Sequence, residues 1–132
     1  TLAERLTLRD YDVTTSLSGE DGIEKVKGYN FDVVILDVLM PGVDGIEVLH
    51  EIKKIKPLTE VIMLTGHATV ETGIEGMKLG AYDYLIKPCE TEELVIKINR
   101  AHERKTEHEE RILDAKVRKL QTSPMSVLIN ED

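Results

Sequence analysis

One carboxylate stands where an apolar run stops. In the stretch FDVVILDVLMPGVDG, residues Phe31, Val33, Val34, Ile35 and Leu36 lead straight into Asp37. A nearly continuous hydrophobic run is how a parallel strand covered on both faces reads. Met40, Pro41, Gly42 and Gly45 then break the pattern before a helical period begins, so Asp37 projects at the carboxyl end of a sheet, where open α/β folds place their ligands. A strand-end aspartate can also be a turn former or a helix cap. As a nucleophile, a carboxylate in this place can attack a phosphoryl group, provided a metal ion and a cation offset the negative charge that accumulates. Two other polar residues end apolar runs in the same way: Thr65 closes VIMLT, and Lys87 follows YDYLI directly before Pro88.

The elements that must position these residues alternate along the chain. Thr1 to about Arg9 reads as a helix already under way, and Val13 to Leu17 as a short strand. Glu20 to about Gly28 is a helix with Ile23 and Val26 inward, Phe31 to Leu36 is the buried strand, and Gly45 to about Ile55 is a helix carrying Ile46, Leu49 and Ile52. Val61 to Leu64 is a strand, Thr69 to Leu79 a helix ended by Gly80, Tyr82 to Ile86 a strand, and a long helix starts near Thr91. Strands alternating with helices of this length mean right-handed crossovers and a parallel sheet.

Three motifs, LDVLMPGVDG, MLTGHA at Met63 to Ala68 and YDYLIKP at Tyr82 to Pro88, agree in order and spacing with the receiver domain of two-component response regulators. The chain resembles that family from Thr1 to about Ala101. The resemblance implies a flavodoxin-like receiver fold: a doubly wound, parallel, five-stranded sheet with helices on both faces, here followed by a long C-terminal helix. It makes Asp37 the phosphoacceptor, with Lys87 as the cation reaching a phosphoryl oxygen and Thr65 as the hydroxyl that donates to one. Tyr84 becomes the switch aromatic that turns inward as Thr65 moves, and Lys87–Pro88 a cis bond. Without the motifs, Lys87 would read as a solvated loop lysine, Thr65 as a cap and Tyr84 as a half-buried strand tyrosine. His67 reads as a loop histidine, with tuning of phosphoryl lifetime as the lesser alternative, and GHATVE resembles receivers that head enhancer-binding transcription activators.

The family's first strand ends in an acidic pair that holds a magnesium ion, and it has no counterpart ahead of Thr1; only four strands are counted before the long helix. A candidate lies at the other end. Met125 to Asp132, MSVLINED, is a β-prone run followed by Glu131 and Asp132, and Gln121 to Pro124 precede it like a linker. We therefore expect a circularly permuted order: a receiver core over 1–101, a helical extension over 102–121, and over 122–132 a linker plus the displaced first strand. By resemblance the magnesium donors are then Asp37, Asp132, the carbonyl of Leu39, and Glu131 through water. The other reading of the tail is a linker plus the start of a following domain, or a disordered end.

Composition bounds the rest. With 132 residues and 41% hydrophobic content the chain can bury one core. A single cysteine, Cys89, excludes an internal disulfide and fits a reducing compartment. No run approaches the roughly 20 apolar residues of a membrane span, and the amino terminus lacks a signal-peptide pattern, so a cytoplasmic location is expected. Against 25 acidic residues stand 17 basic ones, a net charge of −8 that repels a nucleic-acid backbone.

The implied partners are a sensor histidine kinase and an output domain or downstream protein. The helical extension has two readings: a homodimer through a short coiled coil at Leu113, Val117 and Leu120, or a solvated signalling helix leading to an output domain. The function expected is that of a phosphorylation-controlled signalling module with self-directed phosphoryl chemistry at most, rather than an enzyme on separate substrates. A receiver-like interaction scaffold that is not phosphorylated is the alternative, and it turns on whether Glu131 and Asp132 reach Asp37. An aspartyl-phosphate hydrolase is disfavoured, because Leu39 holds the place of its usual general acid and cannot transfer a proton.

Overall fold

A computed structural model describes residues 1–37, 44–66, 70–122 and 125–131. The elements are α1 (Leu2–Thr7), α2 (Gly19–Gly28), β1 (Val33–Leu36), α3 (Gly45–Ile55), β2 (Glu60–Thr65), α4 (Val70–Lys78), β3 (Asp83–Ile86) and α5 (Thr91–Thr122). Helix starts follow local chemistry. Thr1 and Glu4 form a capping box at α1, the Ser18 hydroxyl accepts from the Asp21 N–H at α2, and the Asp44 carboxylate accepts from the Ile46 N–H at α3; each side chain meets a backbone donor the first turn cannot satisfy. Gly80, at φ +100°, turns the chain after α4 in a conformation that costs other residues energy.

The described strands form a parallel sheet in the order β1-β2-β3. All six residues of β2 are buried, as a central strand's apolar run requires. Its side chains alternate between two cores. Val61 and Met63 join Val26, Ile46, Leu49 and Ile52 under α2 and α3, while Ile62 and Leu64 join Leu6, Leu94, Ile98 and Ala101 under α1 and α5. Helices therefore cover both faces, the doubly wound arrangement, and each large apolar side chain buried there contributes about 1.5–3 kcal/mol.

Two expectations of the sequence are corrected. Val13 to Leu17 forms no strand: Val13 packs against the α1/α5 core, but Leu17 is 95% exposed. The described sheet has three strands instead of five, because the tail does not join it either; Val127, Leu128 and Ile129 are 68%, 95% and 68% exposed. Both departures share a cause. A strand forms only beside a neighbour that pairs its N–H and C=O groups. The ladder of β1 is with β2, and no described strand lies along its other edge. Helix α5 meanwhile carries the tail away. Arg104 and Lys105 still touch Glu60 and Asp32 at the amino end of the sheet, after which the helix runs on for about 25 Å at 1.5 Å per residue.

Candidate functional site

Asp37, Thr65 and Lys87 reach one edge because each ends or follows a parallel strand. Asp37 is the first residue past β1, Thr65 the last of β2, and Lys87 the first past β3. The strands pair Leu36 with Met63 and Thr65 with Ile86, which sets the three side chains across the carboxyl edge with Thr65 on the middle strand. The Lys87 N–H donates to the Thr65 carbonyl at 2.8 Å, holding the lysine's backbone to β2, and the Lys87–Pro88 bond is cis. Lys87 Nζ then donates to Asp37 Oδ2 at 2.9 Å. The two side chains are 47% and 38% exposed, so the carboxylate is both neutralised by a cation and open to an incoming group. Thr65, in contrast, is 2% exposed.

Tyr84 sits on β3 and packs, half-buried, against the core under α3. A Cβ built at Gly73 of α4 would meet the Tyr84 ring at 2.9 Å, so glycine there lets the helix backbone lie directly on the ring. The ring's position and the seat of α4 are therefore one packing event.

Leu39, His67 and Asp132 lie outside the described residues. Glu131 is exposed in the tail. Among the described residues, no three His, Cys, Asp or Glu side chains come together in a way that could hold a metal ion. Magnesium asks for an octahedral set of oxygens, usually with more than one carboxylate among the protein donors and substrate. Asp37, paired with a lysine, is not that set, and the described residues of one chain do not fit the ion by themselves.

A second polar cluster, at the opposite end of the sheet, escaped the sequence reading. Glu60 begins β2, its side chain is 2% exposed, and it pairs with Arg104 of α5 and with Lys53 of α3 at 3.6 Å. Burial pulls the Lys53 ammonium below its ordinary pKa and Glu60 opposes that pull. Arg104 also lies 4.7 Å from the centre of the Tyr82 ring. Beside it, Lys105 pairs with Asp32 at 3.2 Å and Glu109 at 2.7 Å; burial disfavours its charge, but the two carboxylates outweigh burial and raise its pKa. One signal was available: an acidic residue directly before the apolar run VIML is carried into the interior with it.

With this geometry in hand, the comparisons with known proteins are decisive. The family model of the response regulator receiver domain matches residues 1–99. The chain belongs to the response regulator receiver family. Regulatory protein LuxO of Vibrio cholerae is 35% identical over 96 residues, which are 73% of this chain and 21% of that protein. Transcriptional regulatory protein ZraR of Escherichia coli is 41% identical over 91 residues, 69% of this chain and 21% of that protein. The receiver domain of NtrX from Brucella abortus superposes with a TM-score of 0.73 at 30% identity, covering 77% of this chain and 87% of that one. This receiver thus spans about a fifth of the length of the curated relatives it matches.

Proposed function

We propose that this receiver accepts a phosphoryl group on Asp37 from a sensor histidine kinase and signals its presence to an output domain or partner protein. The observation that carries the reading is the 2.9 Å pair between Lys87 and Asp37 at the open carboxyl edge of the sheet. An Asp37 oxygen attacks phosphorus, the bond to the donor breaks, and the donor leaves with its electron pair and takes up a proton. The ammonium of Lys87, already in contact, offsets charge as the carboxylate is replaced by a group bearing about two negative charges. The Thr65 hydroxyl donates to a phosphoryl oxygen, which draws the edge after β2 inward. Tyr84 follows, and because its ring lies under Gly73, α4 reseats with it.

The face formed by α4 and β3 is then what a partner reads. The chemistry is self-directed transfer and hydrolysis, without a separate substrate. The net charge of −8 leaves DNA contact to other modules, and a cytoplasmic kinase and output fit a chain in which no described helix is long and apolar enough to cross a membrane. Magnesium enters this reading only as the ion that the test varies, since among the described residues no set of donors gathers beside Asp37.

The test is intact mass after incubation with a small phosphodonor, with and without magnesium. One phosphoryl group is expected on the native chain and none on Asp37→Asn, a nearly isosteric change. Full phosphorylation of that variant would overturn the assignment.

A further inference from the structure

Beyond Lys105, α5 runs clear of the sheet and carries an apolar face open to solvent: Ile112, Leu113, Val117 and Leu120 are 43%, 61%, 42% and 81% exposed. At 3.6 residues per turn these four fall within an arc of about 140°. Lys116 lies inside that arc and Lys119 at its border, whereas Arg111, Asp114 and Arg118 fall outside it. One turn earlier, Glu109 is in line with the face and Glu110 beside it. Glu109 pairs with Lys105 at 2.7 Å, while Arg104 and Lys105 pair with Glu60 and Asp32. From Ile112 to Leu120 the face is therefore apolar with a cationic flank.

The opposite layer of the molecule holds its complement. Helices α2, α3 and α4 enclose a groove of about 380 Å³, with Ile23, Ile46 and Leu79 as its apolar lining. All three pack into the core under α2 and α3. Glu47 and Glu51 of α3 and Glu75 of α4 border it, with His50 between the first two. No lysine or arginine is among the residues that line it; Lys25 and Lys27 of α2 pair with Asp21 and Glu24, and Lys54 and Lys78 lie outside the lining. An apolar groove bordered by three carboxylates fits an apolar helix face that carries lysines.

Helix and groove cannot meet within one chain. Helix α5 packs with α1 on the other face of the sheet and stays helical to Thr122. Two α5 helices serve each other poorly as well. Paired over the same residues, in either direction, they set Lys116 and Lys119 against the same lysines. Slid antiparallel until each meets the other's earlier turns, they set Leu113, Val117 and Leu120 against Glu103, Thr106 and Glu110, which occupy the same stripe and bury nothing apolar. The groove of a second copy satisfies both the apolar residues and the charge.

We propose that the outer part of α5 in one copy seats in the groove between α2, α3 and α4 of the next. Leu113, Val117 and Leu120 supply the apolar contact, and Lys116 and Lys119 meet Glu47, Glu51 and Glu75. Because helix and groove lie on different layers of the molecule, the contact is heterologous. Each copy offers one of each, and association runs head to tail. Nothing in this contact depends on phosphorylation of Asp37.

Sedimentation at tens of micromolar tests the contact. The intact chain is expected above its 14.9 kDa monomer mass, with an average mass that rises with concentration. Leu113→Glu with Leu120→Glu removes the helix half of the contact, and Glu51→Lys with Glu75→Lys removes the groove half. Glu47→Lys with Glu75→Lys, both at exposed positions, is a second groove variant. Each variant alone is expected at the monomer mass with unchanged helical circular dichroism.

Mixing decides the geometry. A helix variant still has its groove and a groove variant still has its helix, so equal amounts of the two are expected to form a dimer and nothing larger. A monomeric intact chain overturns the proposal. So does a groove variant that associates as the intact chain does, which would make the contact helix on helix, or a helix variant that does the same, which would leave α5 out of it. A mixture of the two variants that stays monomeric overturns it as well.

Discussion

Removing Arg104 tests what holds the start of the α5 extension to the sheet. The Glu60 carboxylate is 2% exposed, and its two cationic partners are unequal: Arg104 donates to it directly, whereas Lys53 stands 3.6 Å away and also donates to the carbonyls of Pro57 at 2.7 Å and Thr59 at 2.9 Å. Arg104→Met keeps most of the apolar stem and leaves a buried charge with one divided partner. Stripping a partner from a fully buried pair costs about 3–5 kcal/mol. Arg104 is itself 40% exposed and Lys53 remains, so water and the lysine recover part of that loss, leaving about 1.5–3 kcal/mol. The lost stacking on Tyr82 adds about 0.5–1 kcal/mol, for a total of about 2–4 kcal/mol.

At about 3–5 °C per kcal/mol for a domain of this size, the melting temperature falls by about 10 °C. Urea unfolding of the single variants and of Arg104→Met in a Glu60→Gln background completes a double-mutant cycle, in which a coupling of about 1.5–3 kcal/mol is expected. A cost below about 0.5 kcal/mol, or an equal cost in both backgrounds, would refute the reasoning that a buried charge is what Arg104 serves.

The remaining predictions concern the switch, the acid limb of stability and the site. Gly73→Ala gains about 1 kcal/mol of helix propensity but drives a methyl into the Tyr84 ring; a net loss of about 1–2 kcal/mol in urea unfolding is expected, relieved in the Tyr84→Ala background, where the ring is gone. Arg9 donates to Glu92 and holds its carboxyl below the ordinary 4.5. The folded state therefore binds fewer protons there, and the pair's stabilisation is full above 4.5 and is lost as pH falls through the lowered value. Glu92→Gln should flatten that part of the acid limb when urea midpoints are compared between pH 7 and pH 3.5; an unchanged slope counts against the pair. Asp37→Asn should shift stability by less than about 1 kcal/mol, since both partners of its ion pair are more than a third exposed, while phosphorylation read by intact mass disappears.

Local signals account for most of what could be read without coordinates. The stop at Gly80 acts over one helical turn, and the apolar runs from Phe31 and Val61 are legible because a strand covered on both faces has no polar alternation to hide. Asp37, Thr65 and Lys87 could be placed on one edge for the same reason: in a parallel sheet, residues that end successive strands share an edge wherever the intervening helices go. Val13 to Leu17 was misread because Val13, Thr14 and Thr15 are β-prone residues, while pairing depends on a neighbour that local propensity does not provide.

The amino-acid order by itself determined the helices, the strands β1 to β3 of a sheet covered on both faces, and the shared edge of Asp37, Thr65 and Lys87, since each follows from interactions spanning a few residues or from the repeat of the parallel fold. Only the tertiary structure decided that Glu60 is buried and answered by Arg104, 44 positions away, that Tyr84 lies under Gly73, and that Val127, Leu128 and Ile129 stay exposed beyond α5 instead of joining the described sheet. These depend on distances between elements, and a distance in space is set by how the helices pack and how far they run.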